Sequence, residues 1–483
     1  MQGRNDQEEL RWKRRQELIE ASVDVYPART SRTHTTEKLL GSWEDGMATT
    51  VAGRVRAFRQ QGGSAFLKIE DETGSIQIFL QKKNLADFVE ITGKIDLGDF
   101  LEVAGTTFIT KRGEKTVDAS KVTWLAKALR ALPSEWHGLA DVETRYRFRE
   151  LDTLTNDEVK NVFITRSKIL NAVRTFLVEQ KFTEVETPML HSIPGGATAK
   201  PFTTHHNALD IDVFLRVAPE LYLKRLIVGG LGRVFEIGRN FRNEGIDRDH
   251  NPEFTMMECY ASFTDYEWMM QLTEDLLKHV ATAVHGKPEI MIGDKTYSLA
   301  ESFPRLNYRE AILKATKIDI DEVSDDELKT LGSKIGTDVP DGMTRPKMID
   351  ELFKTHVRPT LQAPCFVYDY PIELSPLAKK KPGNPKYTER FQILVAGTEL
   401  GNAFSELNDP VDQRERFEAQ EKLRTKGDDE AQPIDETYIR SLEYGMPPTS
   451  GLGIGIDRLT AVMTNQKTLK DVILFPTLKP EVK

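Results

Sequence analysis

The spacing of apolar positions changes along the chain, and the changes mark out its parts. Residues 8–21 set Trp12, Leu18 and Ile19 among charges and predict a charged helix, which Tyr26-Pro27 closes. From Thr49 the period becomes two. Strands are predicted over 49–58, 65–70, 75–80, 98–110 and 114–124, with turns at Gly62-Gly63 and Thr73-Gly74 and a short helical piece over 85–91. The stretch 128–145 reads as a connection, broken by Pro133 and Gly138. A helical period returns from Asp157 to Gln180 through Val162, Ile169, Val173, Phe176 and Leu177. It gives way to a strand over Phe182–Leu190 that Pro188 stops, a Gly195-Gly196 loop, a short strand near Val213–Val217, and a helix opening at Pro219-Glu220.

A long hairpin follows. Val234–Ile237 runs on through Arg239–Glu244, and Phe254–Tyr260 forms the returning strand. Period two puts Asn240, Arg242 and Glu244 on one face, and Phe254, Met256, Glu258 and Tyr260 on one face of the second strand. The hairpin is either an edge with solvated charges or the heart of a site. Residues 264–284 and roughly 300–360 read as helical scaffold with mixed faces and no evident chemistry. Strands return at 366–370, 391–395 and 399–407, the last with Asn402, Phe404 and Glu406 on a shared face. The chain closes on Gly451–Leu459. Its glycines at i, i+2 and i+4 bare one face of a strand, and Arg458 enters the first turn of a helix.

Composition narrows the class. At 483 residues the chain is too long for one core, and two or three domains are expected. A hydrophobic share of 39% with 29% charged residues fits a soluble globular protein. Cys259 and Cys365 stand far apart without a CxxC, which argues against a disulfide framework or a cysteine zinc site and suits a reducing cytoplasm. Met1–Arg15 is too charged for a signal peptide, and no apolar run reaches membrane-spanning length. Residues 1–130 hold 21 Lys+Arg against 19 Asp+Glu, so with a total of −9 the remainder carries −11. Any surface that tolerates a polyanion therefore belongs to the N-terminal part. There, five strands with a helix after the third follow the order of an OB-type barrel. Arg54, Arg56, Phe58, Arg59, Phe66, Gln77 and Phe79 would let it stack single-stranded bases, unless Phe66 and Phe79 are barrel core. No GxxxxGK[ST] loop is present, and GxGxG is not the dinucleotide fingerprint.

A strand ending in proline, an Arg-x-Glu hairpin closing on Phe, and a Gly-rich strand delivering Arg into a helix occur here in that order. This trio resembles the three defining motifs of class II aminoacyl-tRNA synthetases, and the OB-type pattern ahead of it resembles their Asp/Asn/Lys subgroup. The stretches 218–224, 250–254, 256–258, 400–409 and 471–476 are similar to lysyl-tRNA synthetases in particular, and the likeness runs through nearly the whole chain. It implies an α+β architecture: an N-terminal helical arm over 1–45, an OB-type anticodon-binding domain over 46–132, a linker over 133–150, and a class II catalytic domain with an antiparallel sheet over 151–483, helically inserted around 287–360. It also implies a cytoplasmic homodimer, joined through the motif carrying Pro188, that uses L-lysine, ATP with Mg2+, and tRNA(Lys).

The resemblance supplies roles residue by residue. Arg242 and Arg458 would be catalytic, Arg242 bridging the amino-acid carboxylate and the α-phosphate, as its planar fork suits. Glu244, His250, Phe254, Glu399 and Arg458 would complete the ATP site. Gly196 and Glu220 would take the α-amino group, Arg242 and Asn402 the carboxylate, and Glu258, Tyr260 and Glu406 the ε-ammonium, with Phe404 beside them. An acidic pocket of this kind suits a substrate with two ammonium groups. Arg59, Phe66, Gln77 and Glu114 would read the anticodon. The metal positions would be Glu399 and Gln392, where relatives carry Glu at the second, so that one full charge is missing here. Two other readings keep the same fold: a lysine-activating paralogue that modifies a protein, and an inactive RNA-binding relative. The intact barrel pattern speaks against the first, and the joint presence of Arg242, Glu220, Glu406 and Arg458 against the second.

Overall fold

In the N-terminal part the predicted alternation becomes a closed barrel. The computed structural model describes residues 5–132, 139, 141–340, 342–425 and 432–480, in two units, Met1–Leu139 and Ala140–Lys483. Pro133 and Gly138 of the expected connection lie outside the described residues. The first helix, α1 (Asp6–Glu20), is capped by the Asn5 side chain, which accepts from the Glu8 N–H. It buries Leu18 and Arg11, not Trp12 or Ile19. Arg11 is drawn in because its guanidinium donates to the carbonyls of Leu97 and Ala128. Strands β1 (Ala48–Gln61), β2 (Ser64–Glu70), β3 (Ser75–Gln81), β4 (Phe100–Ile109) and β5 (Lys115–Ala126) close in the order β1-β2-β3-β5-β4. A helix over Phe88–Lys94, three residues later than expected, sits between β3 and β4. Alternate residues such as Val55, Leu67, Ile69, Ile78 and Leu80 fill the interior. Phe66 and Phe79 belong to the other face. They stack on each other with centroids 4.6 Å apart, outside the barrel core.

The second unit is built on a sheet whose two faces do different things. Helix α2 (Asp157–Glu179) leads into β6 (Thr183–Glu184). Helix α3 (Glu220–Val228) precedes the hairpin β7 (Arg233–Phe241) and β8 (Glu253–Ser262), and α4 (Tyr266–His285) follows it. The remaining strands are β9 (Arg305–Asn307), β10 (Cys365–Pro371), β11 (Asn384–Val395), β12 (Thr398–Ser405) and β13 (Thr449–Gly455), which runs into α5 (Ile456–Met463). The order is β9-β10-β11-β12-β13-β8-β7-β6, with Lys380–Lys381 added against β11. Every pairing from β10 to β7 is antiparallel. Only the outer pairs, β9 with β10 and β7 with β6, are parallel. On one face α2 and α4 bury Val173, Phe176, Leu277 and Val280 against Phe235, Met257, Cys259, Leu452 and Ile454. The opposite face, carried by the alternate residues, is left for the site.

Three expectations are corrected here. The strand read over Phe182–Leu190 pairs only at Thr183–Glu184 and resumes as Leu190–His191, which joins Ile211–Leu215. Between them Thr187 turns its hydroxyl to the Glu236 carboxylate, and Pro188 has no N–H to offer a ladder. Strand β7 stops at Phe241, so Arg242 and Glu244 leave the strand. Asn240, expected beside them, is buried with neither side-chain amide atom partnered. The region before residue 360 is not purely helical. A hairpin, Glu289–Ile292 with Lys295–Ser298, and β9 precede helices Tyr308–Thr316, Asp325–Lys334 and Arg345–Leu352, which pack a core of their own around Tyr308, Ile312, Leu328 and Phe353. Among the described residues no helix is long and apolar enough to cross a membrane.

Candidate active site

The cavity face of the sheet is organised by the glycines of β13. Its neighbours set Tyr260 and Phe404 opposite Gly451, and Glu258 and Asn402 opposite Gly453. A Cβ on Gly451 would lie 2.2 Å from Glu406 Oε1 and 2.4 Å from Tyr260 Cε1. Large polar side chains from both flanking strands can lean over β13 only because it has none of its own there. The space above has a volume of about 730 Å³, and every catalytic, ATP, amino-acid and metal position read from the sequence lies on its wall. So do residues the reading passed over as scaffold: Lys347, Asp350, Lys354 and Arg358 reach the wall from the 300–360 region.

One end of the cavity is acidic. Glu220 comes from the first turn of α3, Glu258 from β8, and Glu406 from just past β12, where its N–H donates to Thr449 O. All three are buried. Burial pushes the Glu258 carboxyl up to about 8, helped by the charge of Glu220, while the Tyr260 hydroxyl donates to Glu258 Oε2 over 2.9 Å. Burial also raises Glu220 and Glu406. A residue the sequence reading assigned no role joins them. Lys224 Nζ donates to Glu220 Oε1 at 2.5 Å and contacts Glu406 Oε2. Burial disfavours its charge, but the two carboxylates outweigh that and hold it protonated. Among the described residues Glu406 Oε1 is enclosed and has no hydrogen-bond partner.

The other end carries the arginines. Just beyond β7, Arg242 is fixed by its N–H to Pro252 O, and its guanidinium stands 5.1 Å from the centroid of Phe254. Its Nε is buried without a hydrogen-bond partner among the described residues, and burial lowers the guanidinium pKa while Glu244 opposes that. Arg458 Nη1 donates to Glu399 O over 3.0 Å. The start of α5 that carries it is pinned by Asp457, which pairs with Arg166 at 2.7 Å and accepts from the Thr255 N–H. His250 and Glu244 lie on the exposed rim, with His250 Nδ1 2.8 Å from Asp247. Asn402 Oδ1 accepts from Arg390 Nε, a wall residue the sequence reading omitted. The Gly196 N–H donates to the buried Gln432 side chain, also omitted. Gly196 has φ +91, a conformation that favours glycine.

Glu399 and Gln392 bring a carboxylate and an amide oxygen to the wall, and Gln392 Oε1 accepts from the Tyr370 hydroxyl at 2.9 Å. Among the described residues no group of three or more His, Cys, Asp or Glu side chains forms a metal cage. Two oxygen donors fit a hard cation that arrives with phosphate oxygens already attached.

In the barrel, cross-strand pairing sets Arg59 beside Phe66 and Phe66 beside Phe79. Phe66 is 37% exposed, so a ring with a cation alongside faces outward. Gln77 sits on β3 with its Nε2 donating to Thr116 Oγ1, and Glu114 is exposed at the turn into β5.

Residues 141–479 match the model of the class II tRNA synthetases (D, K and N), and residues 49–125 match the OB-fold nucleic acid binding domain. The chain is 46% identical over 485 residues to the lysine–tRNA ligase of Moorella thermoacetica, covering 100% of this chain and 99% of that protein. It is 46% identical to that of Bacillus subtilis (98% and 97% covered) and 48% identical to that of Carboxydothermus hydrogenoformans (99% and 98% covered). The chain belongs to the class II tRNA synthetases of the aspartate, lysine and asparagine group, in the family of the lysine–tRNA ligases that it matches from end to end.

Proposed function

We propose that this chain is a lysine–tRNA ligase: it joins L-lysine to ATP, giving lysyl-adenylate and pyrophosphate, and passes the lysyl group to the 3′ end of tRNA(Lys), releasing AMP. The observation that carries this reading is the pairing of three buried carboxylates with Arg242 across one cavity. A substrate with two ammonium groups and one carboxylate is complementary to both ends, whereas an aspartate side chain would meet the acidic end with no cation left to answer it.

In this reading Glu220 and the Gly196 backbone hold the α-amino group. Glu406, Glu258 and Tyr260 hold the ε-ammonium, and Phe404 lies along the aliphatic chain. Asn402 and Arg242 orient the carboxylate so that one oxygen attacks the α-phosphorus in line with departing pyrophosphate. Arg242 neutralises the charge that grows on the α-phosphoryl oxygens, and its place is set before the reaction begins. Glu244 and the following loop hold the adenine. Phe254 stacks on one face of the base, Arg458 covers the other, and His250 reaches the outer phosphates. Glu399 and Gln392 would hold, on the protein side, the Mg2+ brought with ATP, which would supply further charge neutralisation at the phosphates.

Arg59, Phe66, Gln77 and Glu114 contact the anticodon, Phe66 by stacking. Two copies pair through the segment around Pro188, where Met189, Leu190, Leu209 and Ile211 leave apolar side chains exposed. The protein works in the cytoplasm. The test is pyrophosphate exchange into ATP with each amino acid in turn, followed by charging of tRNA(Lys). Exchange with lysine and charged tRNA are expected, and absence of lysine-dependent exchange contradicts the reading.

A further inference from the structure

The most deeply enclosed charge of the amino-acid pocket takes no part in the reaction as described. The Lys224 side chain is wholly inaccessible, and it does not line the cavity. It meets Glu220 and Glu406 from behind, with its ammonium 5.2 Å from the centroid of the Phe404 ring. The helix that carries it, α3, packs Leu221, Leu223 and Ile227 into an apolar cluster with Phe417 and Tyr438. A buried ion pair at such a place adds little to stability over apolar side chains of similar volume. What distinguishes Lys224 is which groups it joins. Glu220 stands at the α-amino end of the proposed substrate and Glu406 at the ε end.

We propose that Lys224 is a positioning residue for amino-acid selection: a built-in ammonium that fixes the spacing and charge of Glu220 and Glu406, so that the pocket takes a substrate with two ammonium groups at lysine's separation. This rests on reading the acidic end as the amino-acid site. Lys224 offsets one charge of the Glu220–Glu406 pair, and Glu258 adds its own as pH rises past about 8, so with all three carboxylates ionised two negative charges remain for the two ammonium groups of lysine, while Arg242 answers the substrate carboxylate. Glu220 and Lys224 are a turn apart on one helix, so this brace is local and rigid. Lys224 pairs with Glu406 at Oε2, and Oε1, which has neither an ion-pair nor a hydrogen-bond partner among the described residues, is left for the substrate.

Lys224→Met keeps an apolar stem of similar length and removes the charge. The three carboxylates then face one another, with Arg216, Arg242 and Arg390 as cations near them and Tyr260 and Tyr438 neutral, and they take up protons more readily. In lysine-dependent pyrophosphate exchange the KM for lysine should rise about 30-fold or more, as losing a desolvated charge partner does, while the KM for ATP stays within about twofold. The acidic limb of kcat/KM for lysine should move up by about one pH unit, and preference for lysine over ornithine, one methylene shorter, should fall about fivefold. Lys224→Arg, which restores the charge, should recover most of the loss in lysine KM. A lysine KM within about threefold of the parent, or lysine and ATP KM values rising together, overturns the proposal. If Lys224→Met does not fold, Lys224→Gln is read the same way, and loss of fold in both assigns Lys224 to stability and likewise overturns it. Failure of the underlying reading looks different: the unmodified protein itself would show no exchange with lysine.

Discussion

Glu406→Gln exchanges one carboxylate oxygen for an amide nitrogen in the proposed lysine pocket and leaves the shape intact. Glu406 is 2% exposed and its Oε1, on the cavity wall, has no hydrogen-bond partner among the described residues, which leaves it open to the substrate's ammonium. At about 3 Å and an effective dielectric near 20, a unit ion pair is worth about 5 kcal/mol. The amide oxygen keeps a neutral hydrogen bond and returns part of this. Lys224, however, loses one of its two partners and then repels the incoming ammonium. The net loss should be about 2–5 kcal/mol, or about 30- to 5,000-fold in kcat/KM for lysine. The assay is lysine-dependent pyrophosphate exchange at saturating ATP, with the KM for ATP and the melting temperature as controls. A folded variant with kcat/KM for lysine within about threefold of the parent would refute the assignment of the ε-ammonium to Glu406.

Three further outcomes are expected. With the Glu258 carboxyl held at about 8, it is neutral below that pH and gains the charge that attracts an ammonium as pH rises. kcat/KM for lysine should therefore climb with pH up to about 8, and Glu258→Gln should remove this limb; a flat profile from pH 6 to 8 in the parent contradicts the idea. Phe66→Ala should weaken tRNA interaction by about 1–3 kcal/mol and leave pyrophosphate exchange untouched, since the ring lies outside the barrel core; loss of exchange would count against the stacking role. Gln392→Glu should lower the Mg2+ concentration needed for half-maximal lysine activation, and Glu399→Gln should nearly abolish activity. An unmoved Mg2+ midpoint in Gln392→Glu would place residue 392 away from the metal, with only its bond to the Tyr370 hydroxyl.

Much of the site was legible because strand periodicity maps directly onto faces. Phe254, Met256, Glu258 and Tyr260 alternate along β8, and the structure turns all four to the cavity. The glycines of β13 announced a close approach, and what approaches are Tyr260, Glu406 and Met256. The barrel's strand order was readable for the same reason. What periodicity does not report is the fate of a charge on a helix. Lys224 lies four residues after Glu220, a spacing equally typical of a solvated surface pair, and only the packing of α3 shows that it turns inward. Residues that reach the site from far along the chain were also hidden. Lys347, Asp350, Lys354 and Arg358 read as scaffold because their helix faces are mixed, and the cavity supplies the missing context. The failed strand over Phe182–Leu190 shows local pattern losing to tertiary bonds, with Thr187 committed to Glu236 and Pro188 unable to donate.

If an acidic pocket facing Arg242 selects lysine for activation by ATP, the selection is read in pyrophosphate exchange into ATP, run on the purified protein with each of the twenty amino acids in turn. Lysine alone should support rapid exchange, with aspartate and asparagine at background. Exchange driven by aspartate or asparagine, or none with any amino acid, would contradict the account.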